Sequence, residues 1–157
     1  MSDDGLDDRP TERWWQARRL NSAVLALAPT LMRLRSTGVV ALRLEDTREP
    51  WELLADGRSA LRNISRGSFT VGSFVFEEQE TRGSAARGDE RVAVLLQNYA
   101  WTYTQTPTVD FGGGRTPMEV DQHSGELVPV ADEILGLPGL QVGLVAGGGR
   151  LFVLGAA

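Results

Sequence analysis

From Phe69 to the end, the chain is a series of short apolar segments. Most are closed within about eight residues by Gly, Pro, Asp or Asn, so the pattern in this half of the molecule is that of strands and tight turns. The segments 69–76, 92–97, 106–111, 118–121, 127–130, 141–145 and 151–154 read as strands, with 39–44 and 51–54 preceding them. Val92, Val94 and Leu96 alternate onto one face, as do Leu140, Val142 and Leu144. The spacing predicts a mainly β protein, an antiparallel β-sandwich with one N-terminal α-helix.

Before the strands the period is helical. Pro10, Thr11 and Glu12 open a helix in which Trp14, Ala17, Asn21, Val24, Leu25 and Ala28 form an apolar stripe. Pro29 has no N–H to donate to the Leu25 carbonyl, so a kink or break is expected there. Leu31, Met32 and Leu34 extend the helix by a turn or two, and Gly38 supplies the stop. The expected organisation is an acidic tail over 1–9, a helical segment over 10–38 and a sandwich over 39–157. The polar stretch 77–90 reads as a long hairpin loop.

Composition narrows the function. The chain has 157 residues, no cysteine and a net charge of −5. Disulfides and thiolate metal sites are excluded, and a surface this acidic is poorly suited to a phosphate backbone. All 16 basic residues are Arg, which reads as the coding bias of a GC-rich bacterial genome. The first residues carry neither a basic nor an apolar signal region, and no apolar run approaches the ~20 residues of a membrane span. The expected location is therefore cytoplasmic. No cofactor is implied.

Few residues invite chemistry. Glu119 and Asp121 flank Val120 and should share a strand face. Met118 and Val120 claim the other face for the core, which leaves the two carboxylates solvated rather than catalytic. The single histidine, His123, sits beside Ser124 in a turn, without a nucleophile elbow and without further ligands for a metal. The glycine runs at 112–114 and 147–149 lack the Gly-Lys-Ser/Thr ending of a phosphate loop. Tyr99, Trp101 and Tyr103 fall at alternate positions, with Gln97 and Gln105 on the same line. In an extended chain they would form an aromatic platform suited to a sugar ring, to a protein contact or to packing. Trp14 and Trp15 point about 100° apart on their helix, so one narrow stripe cannot hold both. With Val24, Leu25 and Leu31 they mark a face for a partner chain.

The order of these motifs resembles the C-terminal β-sandwich domain, with its preceding late barrel helix, of (β/α)8 glycoside hydrolases of the beta-galactosidase-like kind. Segment 21–38 is similar to that helix, with Asn21, Leu27-Ala28-Pro29, Leu34 and Ser36-Thr37. The β part follows with Val71-Gly72-Ser73-Phe74, an apolar strand ending in Asn98, the turn Val120-Asp121-Gln122-His123-Ser124-Gly125 and the closing Gly147-Gly148-Gly149-Arg150-Leu151-Phe152-Val153-Leu154. In such enzymes the catalytic carboxylates sit on barrel strands. Those strands are not in this sequence, so no catalytic residue carries over. The resemblance implies a non-catalytic accessory domain or subunit that packs against a (β/α)8 catalytic chain. The alternatives are a free carbohydrate-binding module using Tyr99, Trp101 and Tyr103, or a gene fragment without independent function.

Overall fold

Two strands buried on both faces organise the molecule. They are Val92–Asn98 and Gly149–Leu154, adjacent and antiparallel in the computed structural model, which describes residues 10–55, 59–77, 91–112, 117–130 and 139–155. In chain order the elements are α1 (Glu12–Leu31), β1 (Leu34–Leu42), α2 (Pro50–Leu54), β2 (Asn63–Ile64), β3 (Phe69–Phe76), β4 (Val92–Asn98), β5 (Thr108–Asp110), β6 (Pro117–Val120), β7 (Leu127–Pro129), β8 (Leu140–Gln141) and β9 (Gly149–Leu154). Six strands form a sheet in the order β1-β3-β4-β9-β6-β7, and three form a second sheet in the order β2-β5-β8. All their pairings are antiparallel.

The mainly β, sandwich-type architecture matches the sequence expectation. Its main core joins Val71, Val94, Leu96, Phe152 and Leu154 of the large sheet to Ile64, Val109 and Leu140 of the small one. Phe111 and Phe152 meet there in a tilted ring pair at 5.4 Å. Because side chains alternate, Ala93, Leu151 and Val153 of the same two strands point the other way. They join Val120 in a second buried cluster, which Leu27 and Leu31 of α1 cover. Fully burying a Val, Leu or Phe is worth roughly 1.5–3 kcal/mol, so this two-sided burial concentrates stability in β4 and β9.

Three sequence readings are corrected. The helix ends at Leu31, not at Gly38, and it runs through Pro29 without breaking there. Pro29 leaves the Leu25 carbonyl without its helical donor, but only two residues of the helix follow it, and Met32 caps by donating to the Ala28 carbonyl at 2.9 Å. From Leu34 the chain is strand, because pairing with β3 from Leu34↔Phe76 to Leu42↔Phe69 outweighs weak helical preference. Gly38 follows a register shift in β1 and caps nothing.

Second, 51–54 is not a strand but belongs to α2. Pro50 occupies the first turn, and the Glu52 carboxylate accepts from the Glu49 amide at 2.9 Å. Third, β2 has no counterpart in the sequence reading. The expected acidic tail 1–9, all but the first residue of the expected loop 77–90 and most of the glycine run 112–114 lie outside the described residues.

The turn between β6 and β7 also seats the helix. Gly125 has a φ of +75°, and a Cβ there would be driven into the carbonyl oxygen of Ala26 in α1. Gly147, at φ +66°, has nothing within 4 Å of such a Cβ. The expected outcome is that Gly147→Ala costs about 1 kcal/mol, from backbone strain alone. Gly125→Ala should cost about 2–3 kcal/mol, because the helix must also move. Urea unfolding midpoints check this; equal costs would show that the close approach to Ala26 is unimportant.

Candidate functional site

Asn98 is the last residue of β4 and is completely buried. Its Nδ2 donates to the carbonyls of Tyr103 at 2.9 Å, Val145 at 3.1 Å and Leu144 at 3.2 Å. With two protons for three acceptors, one of these bonds is shared. Its Oδ1 accepts from the Ala100 amide at 2.9 Å and from Gln105 Nε2 at 2.6 Å. The Tyr99 amide donates to the Ser68 carbonyl, and the Gly147 amide to the Ala100 carbonyl. Segment 99–103 is thereby fastened along its length to the main body.

This corrects the aromatic line expected from the sequence. Tyr99, Trp101 and Tyr103 lie in a bend after β4, not in a strand. Gln105 turns inward, where its amide also serves Ser68. The three rings nevertheless face solvent, Trp101 most of all at 87% exposed. The signal for Asn98 was present in the sequence as a polar residue ending an apolar strand. Its role as the anchor of a neighbouring loop was not.

The carboxylates are committed elsewhere. Glu119 pairs with Phe152 across the strands, so it faces the sandwich side while Val120 packs beneath α1. It therefore does not lie on a solvated face, as the alternation had implied. Its side chain is 17% exposed and binds Arg150 through both oxygens, with Nε to Oε1 at 2.7 Å. Arg150 also lies over the Phe152 ring. Sequence reasoning missed Arg150 because its partner is distant along the chain.

Asp121 Oδ1 accepts from the His123 amide, the Ser124 amide and the Ser124 hydroxyl at 2.7–3.0 Å. The Ser124 hydroxyl is therefore bonded to Asp121 and not to the histidine, which is the wrong arrangement for a triad. Among the described residues, no group of three or more His, Asp and Glu is placed to hold a metal ion. No helix among them is long and apolar enough to cross a membrane.

The predicted interface residues divide into two sets. Leu31 is half-buried inside the chain, packed on the outer cluster of the sheet. Trp14, Trp15, Val24 and Leu25 are exposed, as is Leu20. Trp14 and Trp15 meet edge to face at 4.7 Å with the Arg18 guanidinium over both rings. Leu20, Val24, Leu27 and Leu31 follow one another at i, i+4, i+7 and i+11, a single stripe. The sheet covers its C-terminal half only. No side chain of α1 is fully buried. Comparison with protein-family models, with curated proteins and with solved structures finds no match to the chain.

Two outcomes are expected from these contacts. Asn98→Ala strands the Tyr103 carbonyl and the Ala100 amide and takes one partner each from the Leu144 and Val145 carbonyls and the Gln105 amide, and should cost roughly 2–4 kcal/mol in urea unfolding. It should also deprotect the Ala100 and Gly147 amides to hydrogen exchange; unchanged protection would show that the loop does not depend on Asn98.

The Ser124 amide, and after it the His123 amide and Ser124 hydroxyl, hold the Asp121 carboxyl below its ordinary pKa. The unfolded chain therefore takes up this proton at a higher pH than the folded one. The stabilisation is complete above the ordinary carboxylate range and is lost as pH falls through the depressed folded value. The stability gap between the native chain and Asp121→Ala should accordingly be flat near neutrality and shrink in acid, as checked by unfolding at a series of pH values.

Proposed function

We propose that this chain is a non-catalytic accessory β-sandwich unit of a carbohydrate-active enzyme, packing against a (β/α)8 glycoside hydrolase body through α1. The observation that carries this reading is the half-covered stripe. Leu20 and Val24 continue the line of Leu27 and Leu31 but are 65% and 52% exposed; Trp14, Trp15 and Leu25 are exposed too but lie more than roughly 100° around the helix from that line. An apolar surface of this kind on one helix marks a contact face. The order of motifs from Asn21 to Leu154 supports a barrel as the occupant. The non-catalytic role rests on Glu119 and Asp121, whose oxygens are engaged in an ion pair and a turn. A cytoplasmic location belongs to the same proposal and fits a chain without cysteine.

The exposure of Trp101 on a pinned loop favours a second reading, a free carbohydrate-binding module in which Tyr99, Trp101 and Tyr103 contact the sugar. One experiment separates the two. The tagged chain is purified from its host and its companions are identified by mass spectrometry. The first reading expects a stoichiometric (β/α)8 glycoside hydrolase chain, lost on Leu20→Glu, a substitution at an exposed site on the stripe that leaves the fold intact. Recovery of the chain alone, or capture indifferent to Leu20→Glu, overturns it. Glycan binding that disappears in Trp101→Ala would then establish the second.

A further inference from the structure

A cavity of about 860 Å³ opens between α2, the segment leading into β2, and the end of β5. Its volume falls within the range of roughly 300–1,000 Å³ typical of small-molecule sites. The floor is apolar, formed by Leu61 and Phe111, both buried in the main core. Trp51, half exposed, makes one wall. Arg62, Asn63 and Asp110 supply the polar rim.

The rim is held by backbone contacts that leave side-chain groups available. The Arg62 amide donates to the Asp110 carbonyl at 2.8 Å, and Asn63 pairs with Asp110 across β2 and β5. Asn63 Oδ1 accepts from the Ile64 amide, and Asp110 Oδ1 from the Gly112 amide. Among the described residues, the Arg62 guanidinium, Asn63 Nδ2 and Asp110 Oδ2 have no hydrogen-bond partner.

We infer that this cavity is a binding site for a neutral sugar, of about disaccharide size. The chemistry of the walls selects the class. An anion would meet Asp110, a cation would meet Arg62, and a wholly apolar ligand would strand all three polar groups. What fits is a neutral molecule with one apolar face and an edge that both donates and accepts. A pyranose has this character: its C–H face lies on the indole of Trp51, and its hydroxyls accept from Arg62 and Asn63 while donating to Asp110. The inference stands on the cavity lining and goes beyond the accessory role; the chain can bind a sugar here whether or not it packs against a barrel.

The test is calorimetric titration of the whole chain with cellobiose, lactose, xylobiose and mannobiose, with adenosine as a planar, uncharged control. At least one disaccharide should bind. Arg62→Ala and Trp51→Ala should each weaken it by about tenfold or more, with Trp101→Ala leaving it unchanged. Arg62 is exposed, so its removal tests the site even if Trp51→Ala impairs folding. No binding by any disaccharide, tighter binding of adenosine, or loss in Trp101→Ala without loss in Arg62→Ala would each overturn the inference. None of these outcomes bears on whether Leu20→Glu releases a barrel chain.

Discussion

The side chain of Asn98 is the point on which the surface features of this fold depend. A buried amide with no partner costs about 1–3 kcal/mol, so a residue with no exposure is retained there only because every one of its hydrogen-bonding positions is used. Its carbonyl and amide ends together reach segment 99–103, Gln105 and the turn leading into β9. The last residue of the central strand is thus also the first of the anchored loop. Order in the core is transmitted outward to three aromatic residues that are each at least half exposed.

The same division between secured and unsecured surfaces runs through the molecule. β4 and β9 are covered on one face by the small sheet and on the other by the end of α1. Away from that centre the cover thins. α1 seats two leucines on the sheet and leaves its tryptophans in solvent, with Arg18 lying over both rings. A cation lying over two exposed indoles covers some of their surface, and such contacts are worth only about 0.5–1 kcal/mol in solvent. That is small beside the gain available from burying either ring.

Much of the sandwich was legible from period alone. 69–76 and 92–97 were read nearly to the residue because strands buried on both faces are apolar throughout and end abruptly. The boundaries that failed lie where two preferences compete. At 32–38 the residues tolerate a helix, and the decision was made by β3, a partner distant in sequence that no local window includes. At 51–54 the local signal was adequate, since Pro50 and Glu52 mark a helix start, but a short apolar run resembles a strand when read for hydrophobicity alone. For the candidate sites the limit is similar. The exposure of Trp14 and Trp15 could be anticipated and that of Trp101 was left open between a contact surface and packing, while the ion pair of Glu119 with Arg150 and the gathering of Trp51, Arg62 and Asp110 around one cavity exist only after the sheets have closed.

The continuous stripe along α1 has a geometric consequence. A helix advances about 1.5 Å and turns about 100° with each residue, so position and direction along it are locked together. Leu27 and Leu31 set the rotation of the helix on the sheet, and Leu20 and Val24 inherit it. Whatever seats on those two residues has its orientation relative to the sandwich determined by helical phase. The helix therefore acts as an indexed shaft, on which adding or removing one residue between Val24 and Leu27 would turn the bare end through more than a quarter of a revolution.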